Sequence, residues 1–369
     1  MAKIRNLSLV LSRMTTERQH IRIGFIGDVS FNDDYVPLLE AGTDPFVEVR
    51  PALMRHDFVI GNLECMAKGV GENLDKRPRI GTTLRALQAL KGLNLGLVTL
   101  ATNHFYDNLE KGFNRTIQQL AQDGIASIGA SSNQQNQYVP YVLEKKGWRI
   151  GFLNYVHPDT HPKIPPSAKV YPNYYKPDRV CSDIQKLKPS VDRVVVLLHW
   201  GGKTDYGYFP HAEQVAEAKQ MISAGADAIV GCHTHSFQTH DSFNGKPVYY
   251  SLGNFCFADI KCDDGGFFAV RENGKKSAIL SLTFSEKEVE SEIYPFYNQN
   301  LILKPKKSLA SEFSRWQLAY KFIKLMPFGF KFYYWALRRV EPIFYYSQIH
   351  QISLASIAFK KFKRSICLE

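Results

Sequence analysis

Carboxylates, an amide and imidazoles recur in this chain just past the ends of short apolar runs, and these are the side chains that hold divalent cations. After IGFI (23–26) comes Gly27-Asp28, and after DFVI (57–60) comes Gly61-Asn62-Leu63-Glu64. After LVTLA (97–101) comes Thr102-Asn103-His104, with Asp107 close behind. After VVVLL (194–198) comes His199-Trp200-Gly201, and after DAIV (227–230) comes Gly231-Cys232-His233-Thr234-His235. Carboxylate mixed with imidazole suits Zn, Mn, Fe or Ni, whereas a Mg or Ca cage is nearly all oxygen. His-Thr-His alone is a weak signal; the five sites together make a metal centre the expectation. Residues two apart in an extended segment project to the same side, so His233 and His235 are expected to reach the metal from an extended strand end.

The elements that must position these residues follow from hydrophobic periodicity. Short apolar runs alternate with amphipathic ones, the mark of an α/β domain, and open α/β sheets place their sites beyond the carboxyl ends of strands. The pattern predicts strands at Ile21–Ile26, Phe58–Ile60, Leu95–Leu100, Arg149–Tyr155, Val194–Leu198 and Ala228–Val230, with a strand-rich end to the body after residue 248. It predicts helices at Pro45–Arg55, Thr83–Lys91, Asn108–Gln122 and His211–Ala224. Prolines 158, 162, 165, 166 and 172 mark a long surface loop.

In order and wording these blocks, with Ser236-Phe237-Gln238 and Tyr250-Ser251-Leu252-Gly253-Asn254-Phe255, resemble the CapA family of poly-γ-glutamate capsule synthesis proteins, within the calcineurin-like metallophosphoesterase superfamily. The resemblance runs from about Ile23 to about Phe257. It implies a four-layer α/β/β/α sandwich of metallophosphoesterase type and two divalent ions, Mn, Zn or Fe, bridged by a carboxylate and a water. Carried over, Glu64 bridges; Asp28 and His235 complete one site, and Asn103, His199 and His233 the other. The bridging water would be the nucleophile. His104 would protonate the leaving oxygen or steady the anionic transition state, with Asp107 orienting it.

The chain departs from that pattern in places. Phosphoesterases of that superfamily usually carry Asp-x-His in the first block, where this chain has Asp28-Val29-Ser30, so water, Ser30 or Asn32 is left to complete the first site. Thr102 and Cys232 also replace more usual residues; backbone geometry is expected to do the positioning at Thr102, and Cys232 reads better as a packed thiol than as a soft ligand. Two readings stay open for His157 and His161 (cleft lining or solvated loop), for Lys203, Tyr206, Tyr208 and His211 (near the site or not), and for Arg77 and Arg79 (anion binding or solvation). Asn254 and Phe255 are expected to buttress the fold, and His56 to sit on a helix end.

Formal charge is +11, from 46 basic and 35 acidic residues. From Lys304 to Glu369 stand thirteen basic residues and three acidic ones, so the tail carries +10 and the rest of the chain +1. The tail interleaves its cations with aromatic rings from Trp316 to Tyr346. Two arrangements compete: an interfacial helix pair on an anionic membrane surface, which is favoured, or a segment that folds back on the body or pairs with a partner chain and buries those rings. No nucleic-acid recognition motif accompanies the charge. Six cysteines without CxxC pairs argue against a disulfide framework, and neither a signal peptide nor a spanning segment is legible.

The organisation expected is an N-terminal arm (1–20), a body (21–300) and a basic, aromatic C-terminal helical extension (301–369). The function expected is a metal-dependent hydrolase in capsule or surface-polymer synthesis, cytoplasmic or peripheral on the inner membrane face, acting on an anionic polymer or its precursor beside capsule synthesis partners. The competing function is a non-catalytic, membrane-associated assembly component.

Overall fold

The computed structural model describes residues 18–69 and 74–340. Two sheets face each other. The first runs Ile302–Pro305, Val289–Gln299, Lys276–Phe284, Ile21–Val29, Phe58–Leu63, Leu95–Thr99, Ala126–Ile128, and Asn254–Cys256 adds parallel to the end of Ile21–Val29. The second runs His240–Phe243, Lys246–Tyr249, Ala228–Cys232, Arg193–His199, Trp148–Val156, Tyr141–Lys145, its four central strands parallel. Each strand's alternation explains the layering. Phe25, Ile60 and Leu97 point between the sheets to meet Phe152, Val195, Leu197 and Val230. Their neighbours Ile26, Val59 and Val98 point outward, under Leu53, Leu87, Leu90 and Phe113. On the far side Val194, Val196 and Leu198 pack beneath Val180, Ile184, Ala218 and Ile222. The result is the four-layer α/β/β/α sandwich expected.

Some elements differ from the periodicity. Within Pro45–Arg55 only Arg50–Leu53 is α-helical. Pro51 stands in its first turn, where a missing N–H does no harm, and could not continue a helix from upstream. Thr83–Lys91 divides into the α-helix Leu84–Leu87 and the 3-10 segment Gln88–Leu93.

Past the sheets, the helices Leu309–Leu325 and Gly329–Arg339 fold back on the body. The favoured expectation, both helices given over to a membrane surface, is corrected to that extent: one face is spent on internal packing. Phe313 stacks on Phe237 with centroids 4.4 Å apart, Trp316 on Tyr208 at 4.1 Å, and Tyr333 against Phe209 at 4.6 Å. Apolar rings leave water most fully where a ready apolar surface is already present; Phe313 finds it in the cluster between the sheets, and Trp316 and Tyr333 on the second sheet's outer layer. Tyr320 is wholly buried, and its hydroxyl donates to Asp241 (2.8 Å), which also accepts from Tyr250 (2.8 Å) and pairs with Lys324. Tyr320→Ala should therefore cost about 3–5 kcal/mol, from a cavity and a carboxylate stripped of one donor. Urea denaturation measures this; a loss under about 1 kcal/mol would mean that the helix is not seated there. Residues 1–17 of the expected N-terminal arm, the rings at 344–346 and the cations at 360–364 lie outside the described residues.

Candidate metal centre

The site forms where the parallel strands of both sheets end. Close packing of backbone brings those ends together: a Cβ on Gly27 would collide with the carbonyl oxygen of Gly253. Glycine there lets the Asp28 amide donate to that carbonyl at 2.9 Å and sets Asp28 opposite Asn254 in register.

Donor atoms of Glu64, His199 and His233 lie within 4.8 Å of one another, and so do those of Asp28, Glu64 and His235, so that Glu64 belongs to both groups. Asn103 joins through its Oδ1, 2.8 Å from His199 Nε2, and His233 Nδ1 lies 3.0 Å from the same nitrogen. All six side chains named from the sequence as metal ligands thus meet in one cluster. His233 and His235 arrive differently from the extended geometry expected. The strand ends at Cys232, and both histidines take positive φ (104° and 56°), so a turn aims them at neighbouring groups. Such strain in non-glycine residues concentrates at functional sites, where the surrounding structure imposes it.

The electrostatics suit a cation. Both Glu64 oxygens are buried without a hydrogen-bond partner. Burial, with the charge of Asp28 beside it, pushes Glu64 well above the ordinary carboxylate range. Burial also raises Asp28 to about 7, against the hydrogen bonds from Asn62 (2.8 Å) and the His233 amide (3.2 Å). Burial and the neighbouring imidazoles hold His199 far below its ordinary value and His233 at about 3; burial takes His235 to about 4. The imidazoles are therefore neutral at pH 7, as ligands must be, and a buried carboxylate with two orphaned oxygens among them fits a divalent ion.

His104 and Asp107 stand beside the cluster, His104 Nδ1 2.6 Å from Asp107 Oδ2. Lys76, which the sequence did not single out, completes this pair. Its Nζ donates to Asp107 Oδ1 (2.8 Å) and to the backbone oxygen of Asn103 (2.6 Å) and lies 3.2 Å from His104 Nδ1. Burial favours a protonated Asp107, but His104 and Lys76 outweigh it and hold the carboxyl below its ordinary value. Lys76→Met should cost about 2–3 kcal/mol by leaving a buried carboxylate short of its charged donor. That loss should shrink as pH falls below the ordinary Asp range, where the carboxyl protonates in the unfolded chain and then in the folded one. Chemical denaturation at pH 7 and pH 3 checks both parts; an equal loss at both would reject the charge argument.

Other supports also come from places remote in sequence. The side-chain amide of Asn62 donates to Asp28 and lies 3.2 Å from His199 Nδ1, and Thr99 donates to Asn62 Oδ1 (2.8 Å). Asn254 Oδ1 meets His235 Nδ1 at 2.9 Å, so this residue buttresses a ligand. Asn154, from the second sheet, accepts the Ala101 amide (3.0 Å) and so fixes the turn before Asn103. Asp205 Oδ1 approaches His233 Nε2 at 3.4 Å. A lone acid after the His199 block was the only signal for it.

The open readings resolve unevenly. The Ser30 hydroxyl donates to Asn32 Oδ1 (2.9 Å), and Asn32 is held by the Ala258 backbone, so both side chains are engaged with each other and with backbone. Cys232 is buried with its thiol pushed up in pKa and, among the described residues, belongs to neither group. The Thr102 hydroxyl does take part in positioning, accepting the His104 amide at 3.2 Å. His157 buttresses: its amide donates to the His199 carbonyl (2.9 Å). Burial disfavours its charged ring, yet Asp159 and Glu217 raise it to about 9. His161 is exposed. His211 caps the helix Ala212–Ala224, and Lys203 pairs with Glu213. The Tyr206 ring lies 5.6 Å from His235, whereas Tyr208 stacks under the tail. Arg77 and Arg79 pair with Asp264 and Asp263 at the wall of a cavity of about 430 Å³ that also holds Lys76. His56 is buried against Gly24, with Nδ1 3.2 Å from the Leu53 carbonyl at a helix end.

Fold and site together define an α/β/β/α protein with a carboxylate and imidazole cluster where its parallel strands end. The chain belongs to the family described as bacterial capsule synthesis protein PGA_cap, whose model matches residues 22–259. It is 29% identical over 280 residues to a capsule biosynthesis protein CapA of Bacillus anthracis, covering 72% of this chain and 67% of the relative. It is 29% identical over 240 residues to the PGA biosynthesis protein CapA of Bacillus subtilis, covering 63% and 62%. A probable polyglutamine synthesis accessory protein of Mycobacterium tuberculosis is 25% identical over 54% of this chain and 55% of its own length. The chain thus spans between about half and two thirds of these relatives. Among solved structures, a 5'-nucleotidase precursor of Thermus thermophilus is similar at TM-score 0.45 and 17% identity, covering 82% of this chain and 58% of that one.

Proposed function

We propose that the chain is a divalent-metal hydrolase of the metallophosphoesterase type, acting on a phosphoester or related bond in the making of an anionic surface polymer. The observation that carries this reading is Glu64, fully buried, both oxygens without a hydrogen bond, shared between two groups of neutral imidazole and carboxylate donors. Asp28, Glu64 and His235 would hold one ion; Glu64, Asn103, His199 and His233 would hold the other. When bound, such ions supply Lewis acidity and lower the pKa of water. The chain's own residues do the rest. Lys76 and the Ile80 amide (2.9 Å) fix the Asp107 carboxylate, and Asp107 fixes the His104 ring through Nδ1. His104 Nε2 would give a proton to a leaving oxygen, or steady developing negative charge, only while the ring is the imidazolium, a form that burial disfavours and Asp107 favours, with the ring held below its ordinary pKa. The family and its relatives' names support capsule synthesis as the setting, with capsule synthesis partners at hand; polyglutamate and polysaccharide are both admitted as the polymer.

The decisive experiment is elemental analysis of the purified chain, followed by a metal-titrated screen of phosphomonoester, phosphodiester and γ-glutamyl amide substrates. Bound Mn, Zn or Fe with turnover of one class is the expected result; a protein that takes up no metal would end this reading. A second reading, a non-catalytic assembly component with a structural metal, is favoured by Ser30, which offers no imidazole to the first donor group and whose hydroxyl donates to Asn32. Metal uptake without turnover of any class would select it.

A further inference from the structure

The tail helices have two faces, and among the described residues one of them packs on the body. The other presents Phe322 (57% exposed), Leu325 (80%), Met326 (59%), Phe328 (70%), Phe332 (69%) and Trp335 (54%). Phe328, Phe332 and Trp335 follow i, i+4, i+7 spacing and so form one stripe, with Phe332 and Trp335 stacked at 6.1 Å. An exposed apolar stripe of this kind marks a docking site.

Charge identifies the occupant. Between Phe313 and Val340 the sequence has no acidic residue, while Lys321, Lys331, Arg338 and Arg339 accompany the stripe. Lys321, Lys331 and Arg339 are exposed. Aromatic and aliphatic side chains flanked by cations suit the boundary between acyl chains and anionic headgroups. No helix among the described residues is long and apolar enough to cross a membrane.

We propose that this face docks peripherally on an anionic lipid surface. Such docking needs neither metal nor turnover, and it sets the metal centre close to the lipid. On the face turned inward, the Tyr333 hydroxyl accepts from the Tyr208 amide (2.7 Å) and the Phe209 amide (3.2 Å), and a Cβ on Gly207 would lie 2.9 Å from the Leu337 side chain. Gly207 is two residues from Asp205, which touches His233. One helix, about 10 Å across, therefore separates the lipid surface from the loop at the mouth of the metal centre.

The test is co-sedimentation of the full chain with vesicles of phosphatidylcholine alone or with about one third phosphatidylglycerol. Binding at least about tenfold stronger to the anionic vesicles is expected, falling sharply in high salt as screening shortens the reach of the cations. Phe328→Ser, Phe332→Ser and Trp335→Ser together should cut binding at least about tenfold while the melting temperature and metal content stay unchanged. Should that triple variant misfold, Lys331→Glu with Arg339→Glu tests the same docking from the charged side. Equal binding to both vesicle types, unchanged binding by folded variants, or no binding by the wild type overturns the proposal. So does a concentration-dependent dimer that the triple variant abolishes in a chain indifferent to vesicles, which would make a second copy the occupant.

Discussion

Glu64→Gln leaves the chain folded, ends its uptake of divalent metal, and in chelator makes it more stable than the wild type at pH 8. The loss of metal follows from Glu64 being the one side chain common to both donor groups. At about a thousandfold excess of metal over its Kd, a single bound ion stabilises the wild type by about 4 kcal/mol, a gain the variant forgoes. The gain in chelator follows from burial. The folded-state pKa of Glu64 lies well above the ordinary 4.5, so between those values the folded chain holds a proton that the unfolded chain has lost. Wild-type stability without metal therefore falls as pH rises through that window, by up to about 1.4 kcal/mol per pH unit for this group, and glutamine removes that dependence. Thermal melts at pH 5 and pH 8, with chelator and with metal, measure both effects. A variant that still gains stability from metal, or that is no better than the wild type at pH 8 in chelator, would contradict the assignment.

His104→Asn should lower kcat by about 10²–10⁴ with metal content unchanged, because it removes a proton donor without removing a ligand. Asp107→Asn should cost less, about 10–100-fold, since the ring remains but loses its orienting carboxylate. Kinetics on whichever substrate class the screen identifies, alongside elemental analysis, separates the outcomes. A kcat within about threefold of the wild type would remove His104 from the chemistry, and a matching loss of metal would move it to the ligands.

What the sequence reveals here is set by how local each cause is. Asp28, Glu64, Asn103, His199, His233 and His235 are legible because each follows an apolar strand, and strand ends in a parallel sheet gather at one edge. Lys76 is not, because it lies in the loop after Glu64 and reaches His104 and Asp107 through tertiary contact alone. Asn154 comes from the other sheet, and nothing in its own strand distinguishes it from a polar residue facing water. The convergence of His233 and His235 is legible, but its means is not: period-two spacing implies an extended segment, whereas the chain turns there through positive φ. The tail shows the same limit, since composition marks it as basic and aromatic without saying which rings find Phe237, Tyr208 and Phe209.

Asp241 gives the tail a further meaning. One carboxylate, near the edge of the second sheet, is held by Tyr250 from the last family block and by Tyr320 and Lys324 from the tail. A segment that shares a buried anion with the sheet melts and forms cooperatively with it. The tail is therefore no detachable handle: a truncation at the point where the composition changes would expose an unneutralised carboxylate and the rings around it. Loss of activity in such a truncation would report a weakened fold before it reported a missing partner.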